Sequence, residues 1–279
     1  MENKIFDGKV AVVTGAGGVL CSSFAEELAR KGAKVALLDL NLDAAEAVAS
    51  SIRAQGGVAM AYRADVLDRG CLDELHAKIL SDLGKCDILI NGAGGNSPRC
   101  TTAHEYYEEG DELTDEVKTF FNLDRKDFDF VFGLNIMGTL LPTQVFAPDL
   151  LHRDGCIVNV SSMNAFRPLT KIPAYSAAKS AVSNFTQWLA VHFAGCGIRV
   201  NAIAPGFFVT KQNQTLLFNE DGTPTPRTDK ILRATPMGRF GKPEELLGTL
   251  VWLCDNNASA FVTGVVVPVD GGFSAYSGV

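Results

Sequence analysis

Histidine, paired cysteines, basic runs and long apolar stretches are all scarce in this sequence. The four histidines, His76, His104, His152 and His192, stand far apart, so no resident metal is expected. Seven cysteines, an odd number with no C-x-x-C pair, make neither a disulfide framework nor a zinc site. Reduced thiols and a cytoplasmic location are the expectation. The net charge is −7 and lysines and arginines never cluster in a run. That argues against nucleic acid or an anionic membrane as partner. No stretch approaches the roughly 20 uninterrupted apolar residues of a membrane span. Met1 to Asp7 lacks the apolar region of a signal peptide.

What is abundant is core. Hydrophobic residues make up 47% of 279, enough for one large α/β domain over residues 1–279. Short apolar runs at 9–14, 34–39, 58–65, 86–91, 156–160, 198–204 and 265–269 read as buried strands. Helical patterns at 19–30, 42–55, 68–83, 128–151, after Pro173, and at 243–254 separate them. Such alternation with short loops implies a parallel sheet with helices on both faces. Two excursions, at about 96–127 and 207–235, are too long for simple connectors. They are read as substrate loops.

The first strand runs straight into Gly15-Ala16-Gly17-Gly18, and a helix follows. Glycines let backbone N–H groups approach a pyrophosphate, and a helix N-terminus favours its charge. A glycine cluster alone also makes ordinary turns. The supporting residue is Asp39, ending the second strand 24 positions after Gly15. A carboxylate there accepts hydrogen bonds from both ribose hydroxyls of an adenosine and repels a 2′-phosphate. Leu40, not an arginine, comes next. NAD is therefore expected over NADP, although an aspartate at this place can also simply cap a helix.

A second constellation lies downstream. Ser162 ends a strand, and Tyr175 and Lys179 are four apart on the helix that starts at Pro173, so they share a face. A tyrosine of ordinary pKa about 10 is a poor base at neutral pH. An ammonium at roughly 4 Å, in an effective dielectric of about 20, favours the phenolate by on the order of 4 kcal/mol. That predicts a pKa lowered toward the range where acid–base exchange works. Taken alone, Tyr-x-x-x-Lys is common on surface helices.

Together, Thr14-Gly15, Asp39, Asp65-Val66, Asn91-Gly92-Ala93-Gly94, Asn135, Ser162, Tyr175, Lys179 and Pro205-Gly206 make the whole chain resemble the short-chain dehydrogenase/reductase family. The resemblance implies one Rossmann-like domain with a seven-stranded parallel sheet, in a homo-oligomer, dimer or tetramer. It implies a catalytic tetrad of Asn135, Ser162, Tyr175 and Lys179, with Asn135 holding a water that links Lys179 to solvent. Cofactor contacts would come from Gly15, Gly17, Gly18, Val19 and Leu20 in the loop, and from Asp39. Asp65 and Val66 would lie at the adenine, and Asn91 and Ala93 on the cofactor floor. Tyr175 and Lys179 would meet the nicotinamide ribose, beside Pro205 and Gly206, with Thr210 near the carboxamide. The loop departs from the family pattern at Val19 and Cys21, which stand at usual glycine places.

Residues 162–171, 218–227 and 271–279 further resemble the D-mannonate oxidoreductase (fructuronate reductase) branch. This implies a sugar acid as substrate, D-fructuronate reduced to D-mannonate with NADH. Candidate substrate contacts are Asn96, Ser162, Asn164, Arg167, Lys171 and Tyr175. Arg99, Lys211, Gln212, Asn213 and Arg227 are further polar candidates in the excursions. Another sugar-acid or polyol dehydrogenase, gluconate 5-dehydrogenase-like, is the alternative, and a non-catalytic NAD-sensing protein on the same fold is a more remote one.

Overall fold

The computed structural model describes residues 4–209 and 214–278. The apolar runs form seven parallel strands: β1 (Val10–Thr14), β2 (Lys34–Asp39), β3 (Val58–Arg63), β4 (Ile88–Asn91), β5 (Cys156–Val160), β6 (Arg199–Pro205) and β7 (Val266–Val269). Their spatial order is β3-β2-β1-β4-β5-β6-β7. Helices α1 (Val19–Arg30), α2 (Leu42–Ala54), α3 (Arg69–Asp82), α4 (Arg125–Leu150) and α5 (Pro173–Phe193) carry the crossovers. Shorter helices follow: α6 (Gln214–Leu217), α7 (Pro226–Ala234), α8 (Leu247–Cys254) and α9 (Asn256–Ser259).

Alternation along each strand builds two core layers. Ala11 and Val13 face a cluster with Phe24 and Leu28 of α1, Ala45 of α2 and Leu250 of α8. Val10 and Val12 face the other side, with Leu72 and Ile79 of α3, Phe146 of α4 and Leu189 of α5. Helix α4 is long and apolar enough by composition to cross a membrane, but half of that window is buried within this fold. It holds Pro142 and Pro148 in its interior. The first excursion ends earlier than its composition suggests. The Asp124 carboxylate accepts the Lys126 N–H at 2.6 Å, and this cap starts α4 at Arg125. The second excursion folds into α6 and α7, and the helix expected from 243 begins as a 3-10 turn, Pro243–Leu246.

Order reverses between β1 and β4, with β2 and β3 on one side and β5 to β7 on the other. At such a switch point the loops leave the carboxyl ends of the strands in opposite directions and open a crevice.

Candidate active site

On the β1 side of the crevice the glycine loop is packed against its neighbours. Gly15 has φ +66°, and a Cβ there would lie 2.9 Å from Ala93 backbone. A Cβ on Gly17 would lie 2.7 Å from the Ala44 side chain. The Gly17 N–H donates to Asp39 Oδ2 at 2.9 Å, and the Asn41 N–H donates to Oδ1 at 2.8 Å. The carboxylate therefore faces the loop with both oxygens fixed by backbone. Gly18 precedes α1, and no acidic side chain occupies that helix's first turn. Val19 and Leu20, half-buried, open the helix, so its first N–H groups and positive dipole end point into the crevice.

Cys21, where the family has glycine, is buried. Its sulfur occupies the space a Cβ on Gly92 would need, 2.1 Å from that ideal position. The close approach of α1 to the sheet is thus kept by a glycine on β4's loop instead of on α1. Burial pushes the Cys21 thiol up to about 12, so it is inert at neutral pH. Gly92 and Ala93 N–H donate to Thr14 Oγ1 at 3.1 and 3.2 Å, which fixes the floor. Below it, Asn91 Nδ2 donates to Thr143 Oγ1 and Asn159 Oδ1, and Asn159 Nδ2 to Thr186 Oγ1. Asn159, Thr143 and Thr186 had no local signal in the sequence; β4–β5 pairing sets Asn159 beside Asn91, and the packing of α4 and α5 brings Thr143 and Thr186 to them. Asp65 lies exposed at the turn after β3, Val66 is buried, and a Cβ on Gly138 would touch Val66 and the Ala93 carbonyl. Pro205 ends β6, and Gly206 lies against Asp270, where a Cβ would meet backbone at 2.5 Å. Thr210 lies outside the described residues, as do Lys211, Gln212 and Asn213.

On the β5 side, Ser162, Tyr175 and Lys179 come together. Ser162 caps a 3-10 turn, Met163–Ala165, its Oγ accepting the Asn164 N–H at 3.2 Å. Lys179 is 4% exposed; its Nζ donates to the Val160 carbonyl at 2.8 Å and lies 5.7 Å from the centre of the Tyr175 ring. Ser161 is spent on structure, bonded to the Lys179 carbonyl and to Ser183. The expected fall in the phenol's pKa is absent from this structure. Burial dominates and pushes Tyr175 above its ordinary value, while the Ser162 hydroxyl pulls it down. Burial acts on the lysine as well, bringing its pKa from 10.5 down to about 8.

Asn135 is fully buried on α4. Its Nδ2 donates to the carbonyls of Gly95 and Val131, and its Oδ1 accepts the Gly95 N–H. A Cβ on Gly94 would sit 2.6 Å from Asn135 Oδ1 and 3.2 Å from Lys179 Nζ. Asn135 and Lys179 therefore meet across the Gly94–Gly95 strap. Among the substrate candidates, Asn164 is buried beside Ser162. Asn96 spends its amide on Thr101. Arg99 pairs with Asp127, and exposed Arg167 donates from Nε to the Ser274 carbonyl at 3.1 Å. Lys171 lies on the loop into α5, its carbonyl accepting the Thr102 N–H at 2.8 Å.

A nucleotide cradle and a Ser-Tyr-Lys cluster on opposite sides of one crevice define a dehydrogenase of the Rossmann type. Residues 9–221 match the short chain dehydrogenase family model, and the chain belongs to that family of oxidoreductases. It is 59% identical over 278 residues to an uncharacterized oxidoreductase of Haemophilus influenzae, covering 99% of this chain and 97% of the relative. A Haemophilus influenza crystal structure with bound NAD, described provisionally as a D-mannonate oxidoreductase, superposes with a TM-score of 0.94 at 59% identity, covering 98% and 97%. Gluconate 5-dehydrogenase of Gluconobacter oxydans is 33% identical over 268 residues, 96% of this chain and 95% of its own.

Proposed function

We propose that the protein uses NAD to interconvert a keto-hexuronate and a hexonate, D-fructuronate and NADH to D-mannonate and NAD. The observation that carries the chemistry is the convergence of Ser162, Tyr175 and Lys179 beside the Gly15–Gly18 loop. The sugar-acid reading draws on the likeness to the Haemophilus and Gluconobacter proteins. The cradle fits a dinucleotide: the glycines at 15 and 17, where a Cβ would collide with Ala93 and Ala44, keep the loop tight at the N-terminus of α1. In this reading Gly15, Gly17, Gly18, Val19 and Leu20 hold the pyrophosphate. Asp39 takes the adenosine ribose, Asp65 and Val66 the adenine, and Asn91 and Ala93 form the floor. Pro205 and Gly206 lie at the nicotinamide end. The Asp39 carboxylate favours NAD because a 2′-phosphate would face its charge.

When bound, the nicotinamide supplies the hydride for the carbonyl carbon, or takes it back. Ser162 holds the substrate oxygen by a hydrogen bond. Tyr175 gives its phenolic proton to that oxygen as negative charge develops on it. Lys179, one helical turn away, stabilises the resulting phenolate, and Asn135 fixes the strap that separates them. Burial of the phenol keeps it protonated and ready to donate in the reducing direction; oxidation needs the reverse transfer. The same reading includes a homo-oligomer. Exposed Trp188 and Val191 on α5, 55% and 80% accessible, are apolar surface that a second copy would cover.

The test is a NADH-linked absorbance assay with fructuronate and mannonate, set against gluconate and neutral polyols, for wild type and Tyr175→Phe. The sugar acids should be preferred. The variant should fall below about one-tenth of wild-type turnover, since positioned acid–base catalysis is worth roughly 10²–10⁴-fold, with NADH binding retained. Turnover above that level would remove Tyr175 from the chemistry. Preference for a neutral polyol would leave the dehydrogenase and overturn the substrate.

A further inference from the structure

Three segments leave the carboxyl ends of β4, β5 and β6 and meet away from the tetrad. Among the described residues, Lys171 is one of three other than glycine with positive φ, at +64°. The Ile172 N–H donates back to the Thr170 carbonyl at 2.7 Å. A three-residue turn closed around a positive-φ residue is rare and strained. Strain of this kind persists where surrounding structure enforces it, and it concentrates at ligand clamps. Here Thr102 enforces it, by its hydrogen bond to the Lys171 carbonyl. Two residues later Pro173 starts the helix that carries Tyr175.

Across from Lys171, Arg227 and Lys230 lie three apart on α7 and so share one face. That helix is capped by Thr225, whose Oγ accepts the Thr228 N–H. Lys230 Nζ is 2.8 Å from Glu105 Oε1, joining the first excursion to the second. The Lys230 hydrogen bond holds the Glu105 carboxyl below its usual range, and the fields of Lys230, Lys171 and Arg227 add to it. Lys230 thus holds this carboxylate directly, and Lys171 and Arg227 act on it through their fields. Arg167, the other cation of the β5 loop, is drawn to the Ser274 carbonyl instead.

We infer that Lys171, Arg227 and Lys230 form an anion subsite that takes the carboxylate of the substrate, displacing Glu105 from Lys230. The inference rests on the sugar-acid reading above and names the residues that distinguish a sugar acid from a neutral sugar. Glu105 occupies the place of the incoming carboxylate and keeps the cations together. An exposed ion pair is weak, so the exchange costs little. A neutral ketose leaves Glu105 where it is and gains nothing from the cluster.

The test measures kcat and KM for a keto-hexuronate and for the matching neutral ketose. The proteins are wild type, Lys171→Met, Arg227→Met, Lys230→Met, Lys230→Arg and Glu105→Gln. Each methionine variant should lose roughly ten-fold or more in kcat/KM for the acid, mainly through KM, as loss of a hydrogen bond to a charged group predicts. The loss on the neutral ketose should be about ten-fold smaller. Lys230→Arg should recover most of the loss. Glu105→Gln should lower KM for the acid, because the competing carboxylate is gone. Equal losses on both substrates, or an unchanged KM for the acid in all three methionine variants, would overturn the subsite while leaving the sugar-acid reading intact. A wild type that turns over neutral polyols and no sugar acid would overturn both. Thermal midpoints of every variant exclude misfolding as the cause.

Discussion

Gly92→Ala tests whether Cys21 and Gly92 have exchanged the role that a glycine on α1 usually plays. The added Cβ would lie 2.1 Å from Cys21 Sγ and 2.8 Å from the Thr14 carbonyl oxygen, where ordinary contacts begin at 3.4 Å. The sulfur must retreat by more than an ångström, and Cys21 is 5% exposed with little space around it. Overpacking of this size costs about 1–3 kcal/mol. The second clash, with strand backbone, places the expected loss near the upper end. In a chain slightly longer than 250 residues, each 1 kcal/mol moves the thermal midpoint by roughly 2–4 °C, so a fall of several degrees is expected. The Gly92 and Ala93 amides bonded to Thr14 Oγ1 should shift too, weakening NADH binding. Cys21→Gly alone should cost about 1 kcal/mol, largely the price of glycine within a helix, and keep NADH affinity. Combined, the two changes should be less harmful than their sum by more than the ~0.5 kcal/mol within which independent sites add. Chemical unfolding of the four proteins and NADH fluorescence titration measure this cycle. Additivity, or a Gly92→Ala protein as stable as wild type, would refute the exchange.

Asp39→Ala frees the N–H groups of Gly17 and Asn41 and removes the charge facing a 2′-phosphate. It should weaken NAD binding about ten-fold, the worth of one charged hydrogen bond, and narrow the NAD-over-NADP preference. Wild type using NADPH as well as NADH would contradict the role given to this carboxylate. A second prediction concerns pH. Burial holds Lys179 at about 8, below its ordinary 10.5. Below pH 8 the folded chain carries a desolvated ammonium at a cost on the order of 3 kcal/mol. Between about 8 and 10.5 the unfolded chain binds more protons, so this contribution to stability rises with pH. The thermal midpoint of Lys179→Met relative to wild type should therefore fall as pH is raised from 7 to 9.5. A pH-independent difference would show that Lys179 titrates normally.

The sheet was legible because both of its faces are covered. Strands buried on two sides read as unbroken apolar runs, and 34–39 or 156–160 admit no other assignment. Asn41 and Asp68 cap α2 and α3, so the helix starts read at 42 and 68 fall within one residue of those in the structure. The start of α4 was placed late because Arg125, Lys126 and Asp127 continue the polar composition of the excursion; a cap two atoms long decided it. Ser162, Tyr175 and Lys179, and the Gly15–Gly18 loop with Asp39, were readable as residue types at set spacings; Asn135 entered only through the family resemblance. The pairing of Cys21 with Gly92 was not readable, since these lie 71 positions apart and meet only through the β1–β4 register and the packing of α1 on the sheet. The same holds for Glu105 and Lys230, 125 apart. Charge clusters between loops leave no periodic trace.

Asn135 shows where a residue's type is readable and its work is not. The sequence resemblance gives it a water in a proton relay. In the structure both of its amide hydrogens are committed, one to Gly95 and one to Val131, and Oδ1 already accepts the Gly95 N–H. An asparagine has two donors and two acceptor lone pairs, so its side chain can offer a water only one remaining lone pair. Its larger contribution is mechanical. Gly95 N–H and carbonyl are gripped together, so the strap after β4 cannot rotate. Gly94, with no side chain, then lies flat between Asn135 Oδ1 and Lys179 Nζ. That strap sets how close the lysine stands to α4 and, through the lysine, where the ammonium lies against the Tyr175 ring. An aspartate of the same shape would lose both donors and place a charge against the Gly95 carbonyl, which is why the position needs an amide.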